Sequence, residues 1–557
     1  MKNGWVRNIY KPHLNRSPML FWADQLAHAI LERKKFKYKD KIIETQPFTV
    51  KSSASLSGVL HIGRLTDLIR GEAVFRALKE NVPAKFVWVA EDMDPFRKVP
   101  AGVPSRWEDY IGVPVTDVPD PWGCHTSYAS HHVGDFFEVV GDFVDEMPEI
   151  FSMREEYKKG SFRPQVETLL SHEHELIEIL NRYRDRKLEE SFSVWNPVCD
   201  NCGKIITPKL VGREDGKILY RCEDYSFKKF TARGCGHEGS SDPIRGNGKL
   251  AWKGEWAAQW VRWGVCAEGA GKEYNVPNSA WFVNEEIVER ILDYPSPQPI
   301  FYEYILIGEG EKMSASEGNV VYPSDWLKVA ESEALRLLFL KRITKTRDFR
   351  WSEVPLLVDE YDELKNIYLG TKNLENEKDR EHARRLYEMV RRKSDILVDV
   401  DYGFCAVVGQ ITANDEEALG ILERTGHMRN PTPEMKELIL ERVRKARFWA
   451  HHYAPERLLF RVAEHVTDDV KAKLTDIQKK ALSSLHARLK SSWAAGQELK
   501  GPDVSQALTE EAKKAGLEPK QMYEASYLVL LGKPNGPKLA PFILALREKG
   551  LALLGEV

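Results

Sequence analysis

The chain has 557 residues, 42% hydrophobic, 10% aromatic and 30% charged, with 15 Trp. That excludes a disordered, collagenous or low-complexity polypeptide and predicts three or four domains at about 100–200 residues each. With 81 Lys and Arg against 84 Asp and Glu, a net charge of −3, the chain lacks the basic excess of a protein that coats nucleic acid, so any RNA contact is confined to a local patch.

In chain order, residues 47–55 (PFTVKSSAS) predict a strand running into small residues. The stretch from His61 places Leu65, Leu68, Ile69, Ala73 and Leu78 at helical spacing. A second strand over 85–90 (KFVWVA) follows at once, as a parallel α/β unit requires. From about Pro95 to Gly248 the rhythm breaks into Pro- and Gly-rich segments, acidic helices and a Cys-rich stretch, which reads as an insertion. Strand and helix patterns return over 251–342, including the strand YEYILIG (302–308) and helical EALRLLFLK (333–341). Beyond about Ile343 the chain reads as helical nearly throughout. Thr432 is an N-cap before Pro433, and Met435, Leu438, Ile439, Val443, Ala446 and Trp449 form one stripe. Further amphipathic stretches cover 466–490, 504–516, 519–531 and 537–549. The expected domains are 1–95 and 251–342 as two halves of an α/β domain, 96–250 inserted between them, 343–400 as a helical connector and 401–557 as a helical domain. No apolar run reaches about 18 residues and no apolar leader opens the chain, so a cytoplasmic protein without membrane contact is expected.

Ser57-Gly58-Val59-Leu60-His61-Ile62-Gly63-Arg64 sits where the first strand turns into the first helix, so backbone N–H groups and the helix dipole face the ligand end of the sheet. Gly58 and Gly63 let the backbone approach a nucleotide, and His61 can donate to a phosphate oxygen. Far downstream, Lys312-Met313-Ser314-Ala315-Ser316 follows a strand and a Gly-Glu-Gly loop, a segment with one cation and two hydroxyls suited to a polyphosphate. Either segment alone is as well explained by an ordinary polar turn; the pair, in this order and on these elements, points to phosphate chemistry.

Cys199-x2-Cys202, returning through Cys222 to Cys235-Gly236-His237, has zinc-ribbon spacing, with Cys235 and His237 as alternatives for the fourth ligand. An odd count of seven Cys, clustered, suits metal ligation in a reducing compartment better than a disulfide framework. Asp120, Cys124, His125 and His131 offer a second donor set of O, S and N atoms. Both lie in the insertion and read as structural. Glu91, Asp92 and Asp94 follow the second strand at its ligand end and can attract a cationic amino acid or Mg²⁺. Trp252, Trp256 and Trp260 recur every four residues, as either a core stripe or a substrate wall.

Leu60-His61-Ile62-Gly63 resembles the first signature of class I aminoacyl-tRNA synthetases, and Lys312-Met313-Ser314-Ala315-Ser316 resembles the second. Phe96-Arg97-Lys98-Val99-Pro100, Asp120-Pro121-Trp122-Gly123-Cys124-His125, Gly236-His237-Glu238-Gly239 and Gly536-Pro537-Lys538-Leu539-Ala540 are similar to segments of the class I lysyl-tRNA synthetases, so the likeness spans nearly the whole chain. It implies an α/β, Rossmann-like parallel sheet with an inserted zinc-binding domain and a C-terminal all-α anticodon-binding domain. It also implies lysine, ATP with Mg²⁺, and tRNA as substrates and partners, with lysyl-adenylate as the intermediate. One Zn²⁺ is expected in the Cys-rich segment from its spacing, and because the Asp120 segment matches one that looks metal-binding in the group, the resemblance adds the Asp120 set as a candidate for a second. It implies His61, Lys312, Ser314 and Ser316 as catalytic groups, and Gly58, Gly63, Arg64, Met313, Gly271 and Glu273 as ATP contacts, Glu273 on the ribose. It further implies Ser53, Ser55, Asp92, Trp252, Tyr274 and Tyr302 around the amino acid.

Departures stand out: Arg64 where His or Asn is common, Ala315 for a second Lys, and Ser53, Ser55 and Tyr274 where the lysyl group has Gly, Thr and His. In the helical tail, Arg442, Arg444, Lys445 and Arg447 interleave with Phe448, Trp449 and Tyr453, a pattern suited to unpaired bases. Rival expectations are a class I synthetase for another amino acid and a catalytically silent tRNA-binding paralogue, the latter disfavoured by the retained His61 and Lys312.

Overall fold

The structure, a computed structural model, describes residues 21–557 apart from 47, 57, 101, 190–191, 228–229, 246, 275, 309, 314–318, 393–394, 399 and 429–430. It divides into two compact units: Met1–Ser324 with Leu335–Phe349 and Asn373–Arg392, and Asp325–Ala334 with Arg350–Lys372 and Lys393–Val557.

The first unit is built on a five-stranded sheet of β1 (Thr49–Ser55), β2 (Lys85–Glu91), β3 (Glu149–Ser152), β4 (Val265–Gly271) and β5 (Gln298–Tyr302). Every pairing is parallel and the spatial order is β3-β2-β1-β4-β5, which places the reversal of strand order, and hence the ligand crevice, between β1 and β4. β1 is buried along nearly its whole length, as a central parallel strand covered on both faces must be. α1 (Trp22–Glu32) and α2 (Ile62–Lys79) pack together, and α2 also packs against β1. Buried on almost all sides, α2 hides polar side chains too, and these are partnered: Arg70 Nε donates to the Phe339 carbonyl at 3.1 Å, and Glu72 pairs with Arg336 at 2.6 Å. α3 (Tyr128–Val140) opens on a capping box from Ser127 and Ser130. α4 (Trp252–Trp263) packs on α5 (Ala280–Arg290) and leads through Gly264 straight into β4.

Two elements differ from the sequence expectation. β3 lies inside the segment read as inserted; at four residues on the sheet edge, only partly buried, it has too little apolar alternation to be visible in sequence. The expected strand over 302–308 is split: β5 ends at Tyr302, and Ile305–Ile307 joins a separate sheet with Glu311–Lys312 and Arg347–Phe349. The Cys-rich lobe is a small antiparallel sheet of Pro208–Glu214, Lys217–Cys222 and Glu238–Ser241, rooted where Trp195–Pro197 pairs with Gly248–Leu250.

The second unit is helical. Thr432 caps the helix Pro433–His452 by accepting from Met435 N at 3.2 Å. Asp468–Lys473, Asp476–Ala494, Gly501–Lys514, Pro519–Leu531, Leu539–Leu546 and Glu548–Leu554 enclose a core that includes Leu482, Leu485, Leu508, Met522, Val529 and Phe542. Among the described residues no helix is long and apolar enough to cross a membrane.

Candidate active site

The first functional side chain is placed by helix capping. His61 is the N-cap of α2, extended in backbone, and its Nδ1 accepts from Gly63 N at 3.1 Å. With Nδ1 used as acceptor, the neutral ring carries its proton on Nε2, leaving a donor at the helix N-terminus. A Cβ on residue 63 would stand 2.7 Å from His61 Cε1, so Gly63 is a requirement of the imidazole's position. Burial first, then the charges of Arg64 and Lys312, lower the imidazole to about 4. His61 is thus neutral at pH 7, and two cations lie close enough to act on it. Lys312 leads from the short strand Glu311–Lys312; Met313 is buried beside it. Ser314 and Ser316 lie outside the described residues.

Below the crevice lies a buried group of charges. The β1–β4 register sets Lys51 opposite Glu268, and Lys51 Nζ meets Glu268 Oε1 at 2.5 Å with both side chains almost wholly enclosed. Glu268 Oε2 also accepts from the indoles of Trp256 (2.9 Å) and Trp260 (2.6 Å), and Ser53 Oγ approaches Oε1 at 3.5 Å. Glu91, at the end of β2, accepts from Gln259 Nε2 at 3.1 Å. Burial lifts its carboxyl to about 8 against the opposing pull of Lys51. Asp94 accepts from Ser55 Oγ and Lys249 Nζ, each at 3.1 Å; Lys249 also reaches Glu255 at 2.7 Å, and Tyr157 OH donates to Glu255 at 2.6 Å. Although burial opposes it, Glu255 and Asp94 hold the Lys249 ammonium above its ordinary range. Two ammonium groups therefore face four carboxyl groups, of which burial keeps Glu91 protonated at pH 7.

The expected amino-acid contacts divide. Ser53 and Ser55 reach this group, but Asp92 turns the other way, accepting from Ser152 Oγ and from Arg154 N at 2.9 Å, where it braces the entry to the helix Met153–Lys158. Glu91, one residue earlier, takes the place by the crevice. Trp256 and Trp260 are core, whereas Trp252 is 45% exposed and stacks on Trp256 at a centroid distance of 5.7 Å. Tyr274 stands edge-on to Trp256 at 5.2 Å, which closes an aromatic wall. Tyr302 OH donates to Asp67 at 2.8 Å, and its ring carries the Arg70 guanidinium at 4.7 Å. Beside the end of β4, Glu273 follows Gly271 and accepts from Tyr304 OH. Lys51, Glu268, Lys249, Glu255 and Tyr304 were not singled out from sequence. Only Lys51 carried a signal, a lysine in the middle of a buried strand.

The metal donors fall into two clusters. Sulfurs of Cys199, Cys202, Cys222 and Cys235 lie within 4.8 Å of one another, with no disulfide, and so do one donor each from Asp120, Cys124, His125 and His131. Four thiols converging without bonding suit a closed tetrahedral Zn²⁺ site. His237 stands outside the first cluster: its ring packs near Tyr220 at a centroid distance of 6.2 Å, and its carbonyl accepts from Cys222 N at 2.9 Å. The helical-tail cations are engaged within the second unit. Arg442 is buried between Glu331 and Asp362, Arg444 pairs with Asp415 and Glu437, Lys445 with Glu441, and Arg447 bonds the Gly409 carbonyl.

A family model described as tRNA synthetases class I (K) matches residues 20–393. A lysine–tRNA ligase from Methanocaldococcus jannaschii is 31% identical over 545 residues, covering 95% of this chain and 98% of its own length. One from Methanopyrus kandleri is 32% identical over 560 residues, covering 94% and 96%. Among solved structures, a glutamate tRNA ligase from Elizabethkingia meningosepticum aligns with a TM-score of 0.41 at 12% identity, covering 91% of this chain and 98% of that one.

Proposed function

The chain belongs to the class I (K) tRNA synthetases, and on that premise we propose that it ligates lysine to tRNA at the expense of ATP, through lysyl-adenylate. A carboxylate oxygen of lysine attacks the α-phosphorus in line, the bond to the bridging oxygen breaks, and pyrophosphate leaves. The terminal ribose hydroxyl of tRNA then takes the lysyl group and AMP departs. No protein nucleophile is required, so the work of the site is positioning and charge stabilisation.

One observation carries lysine as the substrate: around Lys51 and Glu268 four carboxyl groups meet two ammonium groups, Glu91 being kept protonated by burial until a cation arrives, at the switch point where an open α/β sheet takes its ligand. A side-chain ammonium arriving there meets Glu91, which among the described residues accepts from Gln259 and yields its proton to become the ammonium's counter-charge. Apolar amino acids offer these carboxyl groups no charge partner and are rejected strongly. Ser53 and Ser55 shape the mouth of the pocket, and Trp252, Tyr274 and Tyr302 its wall.

On the ATP side, Gly58 and Gly63 let the α2 N-terminus approach phosphate. His61 donates from Nε2, and Arg64 and Lys312 supply positive charge to the departing pyrophosphate, while Met313 anchors the strand end beside Lys312. Gly271 and Glu273 take the ribose hydroxyls. Mg²⁺, when bound with ATP, neutralises the polyphosphate. Zn²⁺ on Cys199, Cys202, Cys222 and Cys235 would tie together a lobe too small to hold a large core. A second ion on Asp120, Cys124, His125 and His131 would do the same for the loop entering α3. The helical region 401–557 is the proposed anticodon-binding part.

ATP–pyrophosphate exchange with each amino acid, with and without tRNA, tests the reading. Of the amino acids, lysine is expected to be the one that supports exchange in the presence of tRNA. A profile led by another amino acid moves the protein to a different specificity, and no exchange under any condition makes it a silent paralogue.

A further inference from the structure

We propose that Tyr304 is a positioning residue that holds two parts of the ATP site at once: the ammonium of Lys312 on its ring and the carboxylate of Glu273 on its hydroxyl. The inference rests on the reading above, in which Lys312 serves phosphate and Glu273 serves ribose.

Tyr304 lies between the end of β5 and the strand Ile305–Ile307. Its carbonyl accepts from Arg347 N at 3.3 Å, and the preceding Glu303 N donates to the Ile343 carbonyl at 2.9 Å, so its backbone is tied on both sides. From that fixed base the hydroxyl donates to Glu273 Oε2. The ring face carries Lys312 Nζ at 4.3 Å and Lys272 Nζ at 4.9 Å from its centroid. Lys272 is itself paired with Glu303 at 3.0 Å, whereas among the described residues Lys312 is stationed by the ring. Burial, then the bond to Glu273, pushes the phenol's ionisation up, so it stays a donor throughout the physiological range. On its other side Glu273 is seated against Gly271, where a Cβ would lie 2.5 Å from Oε2. The carboxylate is thus confined between a bare backbone position and a phenol.

The chemistry of this holder matters. Glu273 and Lys312 are exposed and opposite in charge, and both reach one side chain. Paired directly, each would neutralise the other. An aromatic face biases the position of an exposed ammonium by only about two- to five-fold, so Lys312 is stationed without losing the charge that a phosphate oxygen needs. The hydroxyl similarly orients Glu273 without neutralising it. Tyr304 therefore keeps the pair apart while fixing both.

The test compares Tyr304→Phe, Tyr304→Leu and Tyr304→Trp, each alone and with Lys312→Met, by lysine-dependent ATP–pyrophosphate exchange and by calorimetric titration with ATP. Tyr304→Phe keeps the ring and frees Glu273, so the ATP KM and Kd are expected to rise roughly three- to ten-fold with kcat nearly unchanged. Tyr304→Leu is expected to lower kcat by a further two- to five-fold or so, a loss that vanishes in the Lys312→Met background, and Tyr304→Trp restores kcat but not KM. The proposal is overturned if Tyr304→Phe leaves ATP affinity unchanged, if Tyr304→Leu costs the same factor with and without Lys312, or if Tyr304→Trp lowers kcat as Leu does. Should the Leu variant fail to fold, the Phe and Trp variants decide the matter. Absence of lysine-dependent exchange in the unsubstituted protein sinks the functional reading, whereas intact exchange with ATP affinity unmoved by Tyr304→Phe sinks this inference alone.

Discussion

Lys51→Met tests whether the buried group beneath the crevice is a balanced set or an accident of packing. Lys51 and Glu268 are 0% and 2% exposed and 2.5 Å apart. At an effective dielectric of 20 their attraction is about 7 kcal/mol before desolvation, which takes back several kcal/mol per ion. Removing one partner of such a pair costs about 3–5 kcal/mol, because the other stays buried and uncompensated. Glu268 would still accept from Trp256 and Trp260, so the lower end, about 3 kcal/mol, is expected. The double variant Lys51→Met/Glu268→Gln removes both charges and keeps an acceptor for the two indoles, and its cost is expected near 1 kcal/mol. The coupling between the two sites is then at least about 2 kcal/mol. Urea unfolding followed by tryptophan fluorescence is the assay, with the two units fitted as separate transitions because a two-unit chain need not unfold in one step. Free lysine should raise the single variant's midpoint more than that of the unsubstituted protein, since the ligand's ammonium replaces the one removed. A single-variant cost below about 1 kcal/mol, or a double variant as unstable as the sum of the singles, would refute the argument.

Three further outcomes are expected. Cys235→Ser should release the zinc of the four-cysteine cluster and loosen its lobe while His237→Ala retains both, as metal analysis of the purified variants will show; zinc retained by Cys235→Ser and lost by His237→Ala would reverse the assignment. Glu91, raised to about 8 by burial, binds more protons folded than unfolded between its ordinary value near 4.5 and 8, so its share of stability falls as pH rises through that window. Lysine binding at pH 7 should then expel up to one proton, read by calorimetry in buffers of different ionisation enthalpy; heats independent of buffer would exclude Glu91 from the pocket. Gly63→Ala should slow adenylate formation at least ten-fold by pushing the His61 ring from its cap, and the same rate in both proteins would show that the imidazole need not sit where Gly63 lets it.

The strand–turn–helix at the start of the α/β unit was legible because each part has a local cause: β-branched residues before a turn, a Gly-Val-Leu-His-Ile-Gly bend, then apolar side chains every three or four positions. The helix at 433–452 was legible for the same reason, through Thr432 and Pro433. β3 was not, since four edge residues with two faces half-open leave no periodic trace. The same limit governs the four-cysteine cluster: spacing names Cys235 and His237 equally, and only the path of the chain from Cys235 to Glu238 brings one sulfur to the other three and turns the imidazole toward Tyr220. Arg442, Arg444, Lys445 and Arg447 of the Pro433–His452 helix illustrate the converse. Their composition suits RNA, yet each finds an acceptor on its own helix or a neighbouring segment, Arg442 so completely that it is 2% exposed.

The pocket shows where sequence reading has to stop. Whether Glu91 or Asp92 faces the crevice is a question of strand parity, and parity depends on the register of β2 against β1, in which Ser55 stands opposite Glu91. Shift that register by one and Asp92 would take the place, with Glu91 at the helix entry. Similarly, a lysine in the middle of β1 demands a buried carboxylate, but nothing local says that it comes from Glu268, 217 residues away. The parallel pairing of β1 with β4 supplies it. That pairing exists because the chain crosses over β1 after building β2 and β3 on its other side, so the strand order that opens the crevice also assembles the charges beneath it. On the proposed function a substrate ammonium is selected by this group as a whole, and replacing Ser53 or Tyr274 at its mouth should change which lysine analogues fit without changing the demand for a cation.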